Sequence, residues 1–99
     1  MSNVYVNVFR QSGHVLVAAC DAELLGKTLR EGDTVFIIQE QFYGGSLVRV
    51  EEAIGMLRGA TCANLVGPNI VTMAIKEGLV HPQSVITIAG VPHAQTVRL

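Results

Sequence analysis

The stretch from Thr61 onward constrains the fold most, because it sets two strand-like runs on either side of a helical stripe. Thr61 to Val66 reads as a strand. Gly67-Pro68 then opens a helix with proline at its first position, where the missing N–H costs nothing. Ile70, Val71, Ala74 and Ile75 make one apolar face, and Gly78 closes the helix. His81-Pro82-Gln83 leads into Val85-Ile86-Thr87-Ile88, a β-branched run ending at Ala89-Gly90. If both strands share a sheet they form a βαβ crossover, a connection that is nearly always right-handed. Their carboxyl ends then bring Gly67-Pro68-Asn69 beside a polar loop, Gly90-Val91-Pro92-His93, at the edge where open α/β sheets commonly bind ligands. A helix over residues 60–66 is the competing assignment.

The first half reads as β-structure. Val4, Val6 and Val8 alternate with Tyr5, Asn7 and Phe9, the period of a strand over residues 4–10. Gln11-Ser12-Gly13 supplies a turn, and the Val-rich run from His14 to Cys20 completes a hairpin. Asp21 is placed to cap a short helical segment from Ala22 to about Leu25, ended by Gly26. After a charged connection, Arg30-Glu31-Gly32-Asp33, the run Thr34 to Ile38 is the clearest strand. Leu47 and Val48 form a short return strand or lead into a helix striped by Val50, Ala53, Ile54 and Leu57. Glu51 and Glu52 fall in its first turn, where negative charge is favoured. The expected architecture is one domain over residues 1–99, α/β or α+β. It has a mixed sheet, an N-terminal antiparallel hairpin and a C-terminal βαβ unit.

Composition excludes several function classes. The net charge of −1 and pI near 6.3 are unlike domains that bind nucleic acid chiefly by charge, so any such surface is a local patch. Charged residues make up 15%, against roughly 25% in ordinary domains. That leaves apolar surface for a second copy or another partner to cover, and a homo-oligomer is one expectation. Without a signal-peptide pattern or an apolar run of about 20 residues, the chain reads as cytoplasmic, with no membrane partner. Cys20 and Cys62 read as reduced, buried thiols.

No enzyme or cofactor motif survives inspection. Gly26-Lys27-Thr28 lacks the glycine a phosphate loop needs five positions earlier, where Asp21 stands. No dinucleotide fingerprint follows a strand, so no cofactor is expected. Cys62 with His93 has no local support as a nucleophile and base, and no catalytic residue is nominated. His14, His81 and His93 lack the spacing of a metal site.

Binding candidates remain. Phe42-Tyr43-Gly44-Gly45 reads as a loop whose glycines allow positive φ and close approach, and whose rings offer stacking faces. Packing of these rings onto the core is the plainer reading. Lys27, Arg30 and Arg49 lie on flanking connections. His93 and Gln95 follow Pro92 on a stiffened loop, where a hydrogen-bonded histidine securing the tail is the plainer reading. Stacking on Tyr43, phosphate attraction from Lys27 or Arg30 and hydrogen bonds from Gln95 would together hold a single-stranded nucleotide. The alternatives are a dimeric small-ligand protein or enzyme, with an anion at the helix N-terminus near Asn69, and a protein-interaction subunit.

Four stretches carry a resemblance: Val15 to Thr28, Phe42 to Gly45, Ala63 to Gly67 and Gly90 to Gln95. Together they resemble an archaeal family of small single-domain proteins of unknown function, along nearly the whole chain. The resemblance implies a cytoplasmic protein and an RNA-binding or translation-associated role, with RNA or an RNA-protein assembly as partner. It carries no catalytic residue. Val50 departs from the family pattern, in which a capping residue such as Ser is expected nearby.

Overall fold

The computed structural model describes residues 3–98. Strands β1 (Asn3–Gln11) and β2 (His14–Asp21) form the expected hairpin. Its two-residue turn puts Ser12 and Gly13 at φ 50° and 80°, a geometry that follows the natural twist of paired strands. A 3₁₀ turn (Ala22–Leu24) leads to β3 (Thr28–Glu31) and β4 (Thr34–Ile37), a second hairpin that forms its own two-stranded sheet. Then follow α1 (Glu40–Tyr43), β5 (Ser46–Arg49), α2 (Val50–Arg58), β6 (Cys62–Val66) and α3 (Pro68–Lys76). The chain ends in a 3₁₀ turn (Pro82–Ser84), β7 (Ile86–Ile88) and β8 (Val91–Val97).

The main sheet has the order β5-β1-β2-β6-β8-β7, with β2 and β6 its one parallel pair among the described residues. The mixed sheet, the N-terminal hairpin and the C-terminal βαβ unit are all present. The βαβ unit is split, however. Strands β6 and β7 both pair antiparallel with β8, so they run in the same direction with β8 between them.

Three sequence readings need correction. Gly90 to His93 is not a polar loop: Ala89-Gly90 is a two-residue turn and β8 starts at Val91. Proline lacks the N–H that marks a strand, but the Pro92 carbonyl still accepts a hydrogen bond from the Gly67 N–H at 2.9 Å. Arg30-Glu31-Gly32-Asp33 is not a plain connection either, because Arg30 and Glu31 belong to β3 and Gly32 turns the hairpin at φ 58°. Finally, Asp21 makes no side-chain cap for the Ala22–Leu24 turn; its carboxylate is used elsewhere.

Strand alternation gives each face of the sheet its own cover. On one face, Val4, Val6, Val17, Ala19, Ala63, Leu65 and Ala94 pack beneath α2 and α3. Those helices contribute the predicted stripes, Val50, Ala53, Ile54 and Leu57 from α2 and Ile70, Val71 and Ala74 from α3. Each large aliphatic side chain buried there stabilises by about 1.5–3 kcal/mol. The α2 start lacks a serine, but the Glu52 carboxylate accepts a weak hydrogen bond from the Arg49 N–H at 3.5 Å.

The opposite face is only partly covered. Ala18, Cys20 and Val66 lie under Leu24, Ile38 and Tyr43, supplied by the second hairpin and α1 with their flanking turns. Beyond that cover, Phe9 and Val97 remain 39% and 73% exposed. Pairing register arranges this face in two polar-to-apolar rows: Asn7, Ala18, Asn64 and Gln95, then Phe9, Leu16, Cys62 and Val97.

The Ala89 N–H donates to the Glu31 carboxylate at 2.7 Å and ties the second hairpin to the β7–β8 turn. Ala89 holds φ 52°, a conformation that costs a residue with a Cβ about 1–2 kcal/mol. Ala89→Gly keeps the N–H and removes that strain. It is expected to raise stability by about 1 kcal/mol, as a higher urea midpoint at unchanged m-value; a lower midpoint would contradict it.

Candidate functional site

The Phe42-Tyr43-Gly44-Gly45 segment is not an open loop. Phe42 and Tyr43 close the single turn of α1, and the glycines follow it. Tyr43 is 3% exposed, within the core cluster of Ile38 and Cys20, and burial pushes its phenol up to about 12. Tyr43 is therefore a packing residue, and stacking on an exposed Tyr43 is ruled out by its burial. Phe42 is half-buried, stacked on Phe9 at 5.6 Å and edge-on to Tyr43 at 4.9 Å.

The two glycines serve the chain's own close packing. A Cβ on Gly45 would lie 2.3 Å from the Val6 carbonyl oxygen, and one on Gly44 would lie 2.5 Å from that of Glu40. Neither position has a positive φ among the described residues. The Asn7 side chain reinforces the contact by donating to the Gln41 carbonyl at 3.4 Å.

Beside this turn lies a cleft of about 400 Å³, a volume at the low end of small-molecule sites. Val35, Phe36 and Ile37 of β4 form one wall. Gln39, Phe42 and Tyr43 form the next, and the sheet contributes Asn64, His93 and Gln95. Phe42, Tyr43, His93 and Gln95, all nominated from sequence, thus line one concavity. Phe36, Gln39 and Asn64 were not nominated. Asn64 carried a readable signal, since it is the one polar side chain inside the run Cys62 to Val66.

The polar groups of the cleft are ordered by β8. The His93 Nδ1 lies 3.0 Å from the Leu65 carbonyl oxygen. A carbonyl oxygen only accepts, so Nδ1 carries the proton and Nε2 is the bare acceptor nitrogen. Burial holds the imidazole below its ordinary pKa, partly offset by that hydrogen bond, and the ring is neutral at pH 7. Phe36 lies against it at a 4.9 Å centroid separation. The Gln95 Nε2 donates to the Asn64 Oδ1 at 2.7 Å, which aligns the two amides as a pair.

The nominated basic residues do not join the cleft. Lys27 is exposed next to the 3₁₀ turn, and Arg30 is exposed on β3 opposite Val35. Arg49 ends β5, where it lies 3.7 Å from Glu52. Four strand spacings separate β5 from β8, or roughly 19 Å. The walls and floor of the cleft are aromatic, aliphatic and amide, without a cation.

Gly67 and Asn69 form a separate, filled arrangement. The fully buried Asp21 carboxylate accepts the N–H groups of Asn69 at 2.9 Å and Ile70 at 3.0 Å, capping α3 from 48 residues away. Burial raises the Asp21 pKa and these donors lower it, with burial the larger influence. The helix N-terminus near Asn69 already holds the chain's own carboxylate, in the place an external anion would take.

Burial, aided by Asp21 and Glu23, pushes the Cys20 thiol up to about 12. Cys62 and His93 sit four residue positions apart along paired strands, about 13 Å. Among the described residues, no three His, Cys, Asp or Glu side chains gather as a metal site, and no helix is long and apolar enough to cross a membrane.

No curated protein matches the chain. Its structure is similar to that of an uncharacterized conserved protein from Methanopyrus kandleri, an archaeon, with a TM-score of 0.82. The two are 26% identical, and the match covers 95% of this chain and 90% of the other. The model of a family of unknown function matches residues 9–99, and the chain belongs to that family, DUF424.

Proposed function

We propose that this protein is a single-stranded RNA-binding module that receives one unstacked base in the cleft beside Phe42. The carrying observation is the convergence of Phe36, Phe42 and the neutral His93 ring with the amides of Gln39, Asn64 and Gln95. Flat apolar faces with amides at their rim suit a planar, uncharged heterocycle, which single-stranded RNA offers at every residue. The continuing row of Phe9, Leu16, Cys62 and Val97 gives the neighbouring nucleotides an apolar floor.

Because no Lys or Arg lines the cleft, affinity rests on stacking and amide contacts more than on phosphate attraction. Fluorescence anisotropy with a labelled single-stranded RNA is expected to show binding whose log–log salt slope is no steeper than about −1.5, equivalent to roughly two phosphates. Phe42→Ala is expected to weaken it about tenfold, the loss of one stacked base, with thermal melting reporting any change in fold. Gln95→Ala changes an exposed side chain and separates recognition from stability. Absence of binding at low salt would overturn the proposal.

A second reading is favoured by the exposure of Val97 and Phe9 on the same face: two copies pack these rows together. It predicts a dimer by sedimentation equilibrium that Val97→Glu dissociates. A monomer at every concentration would exclude it.

A further inference from the structure

Two features of the cleft have fixed hydrogen-bond polarity. The Leu65 carbonyl accepts a hydrogen bond from His93 Nδ1–H, which leaves Nε2 an acceptor. No described side-chain nitrogen or oxygen is both buried and without a partner, and Nε2 has no hydrogen-bond partner among the described residues, so it stays open to solvent on a ring that lines the cleft. Next to it, the Gln95 Nε2 spends one of its two protons on Asn64 Oδ1. Among the described residues, the second proton and both amide protons of Asn64 have no acceptor. The cleft therefore presents an acceptor beside a set of donors.

We propose that the cleft selects a base whose Watson–Crick edge carries an exocyclic amino group next to a ring nitrogen acceptor, adenine or cytosine. The amino N–H donates to His93 Nε2, and the ring nitrogen accepts from the Asn64–Gln95 amide pair. This rests on the RNA-binding reading above. Uracil offers a carbonyl oxygen at the corresponding position, which sets lone pair against lone pair at Nε2 and leaves a polar group unsatisfied. Adenine and cytosine share the donor-next-to-acceptor edge, so the site tolerates both.

The test alters the ligand and leaves the protein as it is. Four labelled pentaribonucleotides are titrated at one salt concentration: all-adenine, all-cytosine, all-uracil, and all-purine, which is adenine without its 6-amino group. The adenine and cytosine strands are expected to bind about tenfold more tightly than the uracil and purine strands. Equal affinity for all four would overturn the selectivity while leaving RNA binding in place. Absence of binding by any of them would overturn both. His93→Phe, which keeps a flat ring and removes the acceptor, is expected to bring the adenine and purine strands to equal affinity within the variant. Retained discrimination in a folded His93→Phe protein would overturn the role of Nε2.

Discussion

Gly67→Ala is expected to unfold the protein or to cost at least about 4 kcal/mol, through two independent causes. Gly67 holds φ 123° with ψ 150°, a region open in practice only to glycine. The added Cβ would also lie 2.4 Å from Asp21 Cγ and 2.6 Å from its Oδ1. Asp21 has nowhere to retreat. It is fully buried and accepts the Asn69 and Ile70 N–H groups that start α3. Asp21→Ala alone is expected to cost about 2–4 kcal/mol, because a buried cap is lost and its donors are left unpaired. The double variant removes the clash and keeps the backbone strain. Its cost in urea unfolding is therefore expected to fall short of the sum of the singles by about 1–2 kcal/mol. Strict additivity would show that Asp21 does not fill the space over Gly67.

Gly45→Ala carries the second large effect, about 3 kcal/mol. Its Cβ would meet backbone, with the Val6 carbonyl oxygen at 2.3 Å and the Asn7 Cα at 3.0 Å. Backbone atoms cannot swing aside as a flexible side chain does. To accept the methyl, the chain leading into β5 must move off β1, which disturbs the Val6–Ser46 end of that pairing. The same turn positions Phe42, so a folded Gly45→Ala protein is expected to lose RNA affinity together with stability. Were the glycine reserved for approach of a ligand, binding would fall and the urea midpoint would hold. That split result would contradict the structural role assigned to Gly45.

Helices α2 and α3 were legible because their signals are local. The α2 stripe of Val50, Ala53, Ile54 and Leu57 is buried as the period of 3.6 requires, and Gly67-Pro68 marks the start of α3. Strand β8 was hidden by Pro92 and by polar His93 and Gln95, whose side chains face the partly covered side of the sheet. Strand β3 was hidden because only Leu29 of its four residues packs inward, while Thr28, Arg30 and Glu31 stay exposed. Asp21 looked like a local cap. Its partners lie 48 and 49 residues away, a distance that no periodicity encodes.

The candidate site divides in the same way. Phe42, His93 and Gln95 stood out as aromatic or polar groups beside glycine and proline. Lys27, Arg30 and Arg49 stood out for charge alone, and sheet order carries Arg49 to the far edge. Phe36 resembled an ordinary core residue within a β-branched run, and the small second hairpin is what turns it toward His93.

The cleft beside Phe42 is tested most directly by ¹⁵N–¹H correlation spectra of the labelled protein, titrated with a short all-adenine RNA. Progressive shifts are expected at the amides of Phe36, Gln39, Phe42, Asn64, His93 and Gln95, with α2 and α3 unaffected. Shifts confined to the helical face, or a spectrum unchanged at saturating RNA, would contradict RNA binding in this cleft.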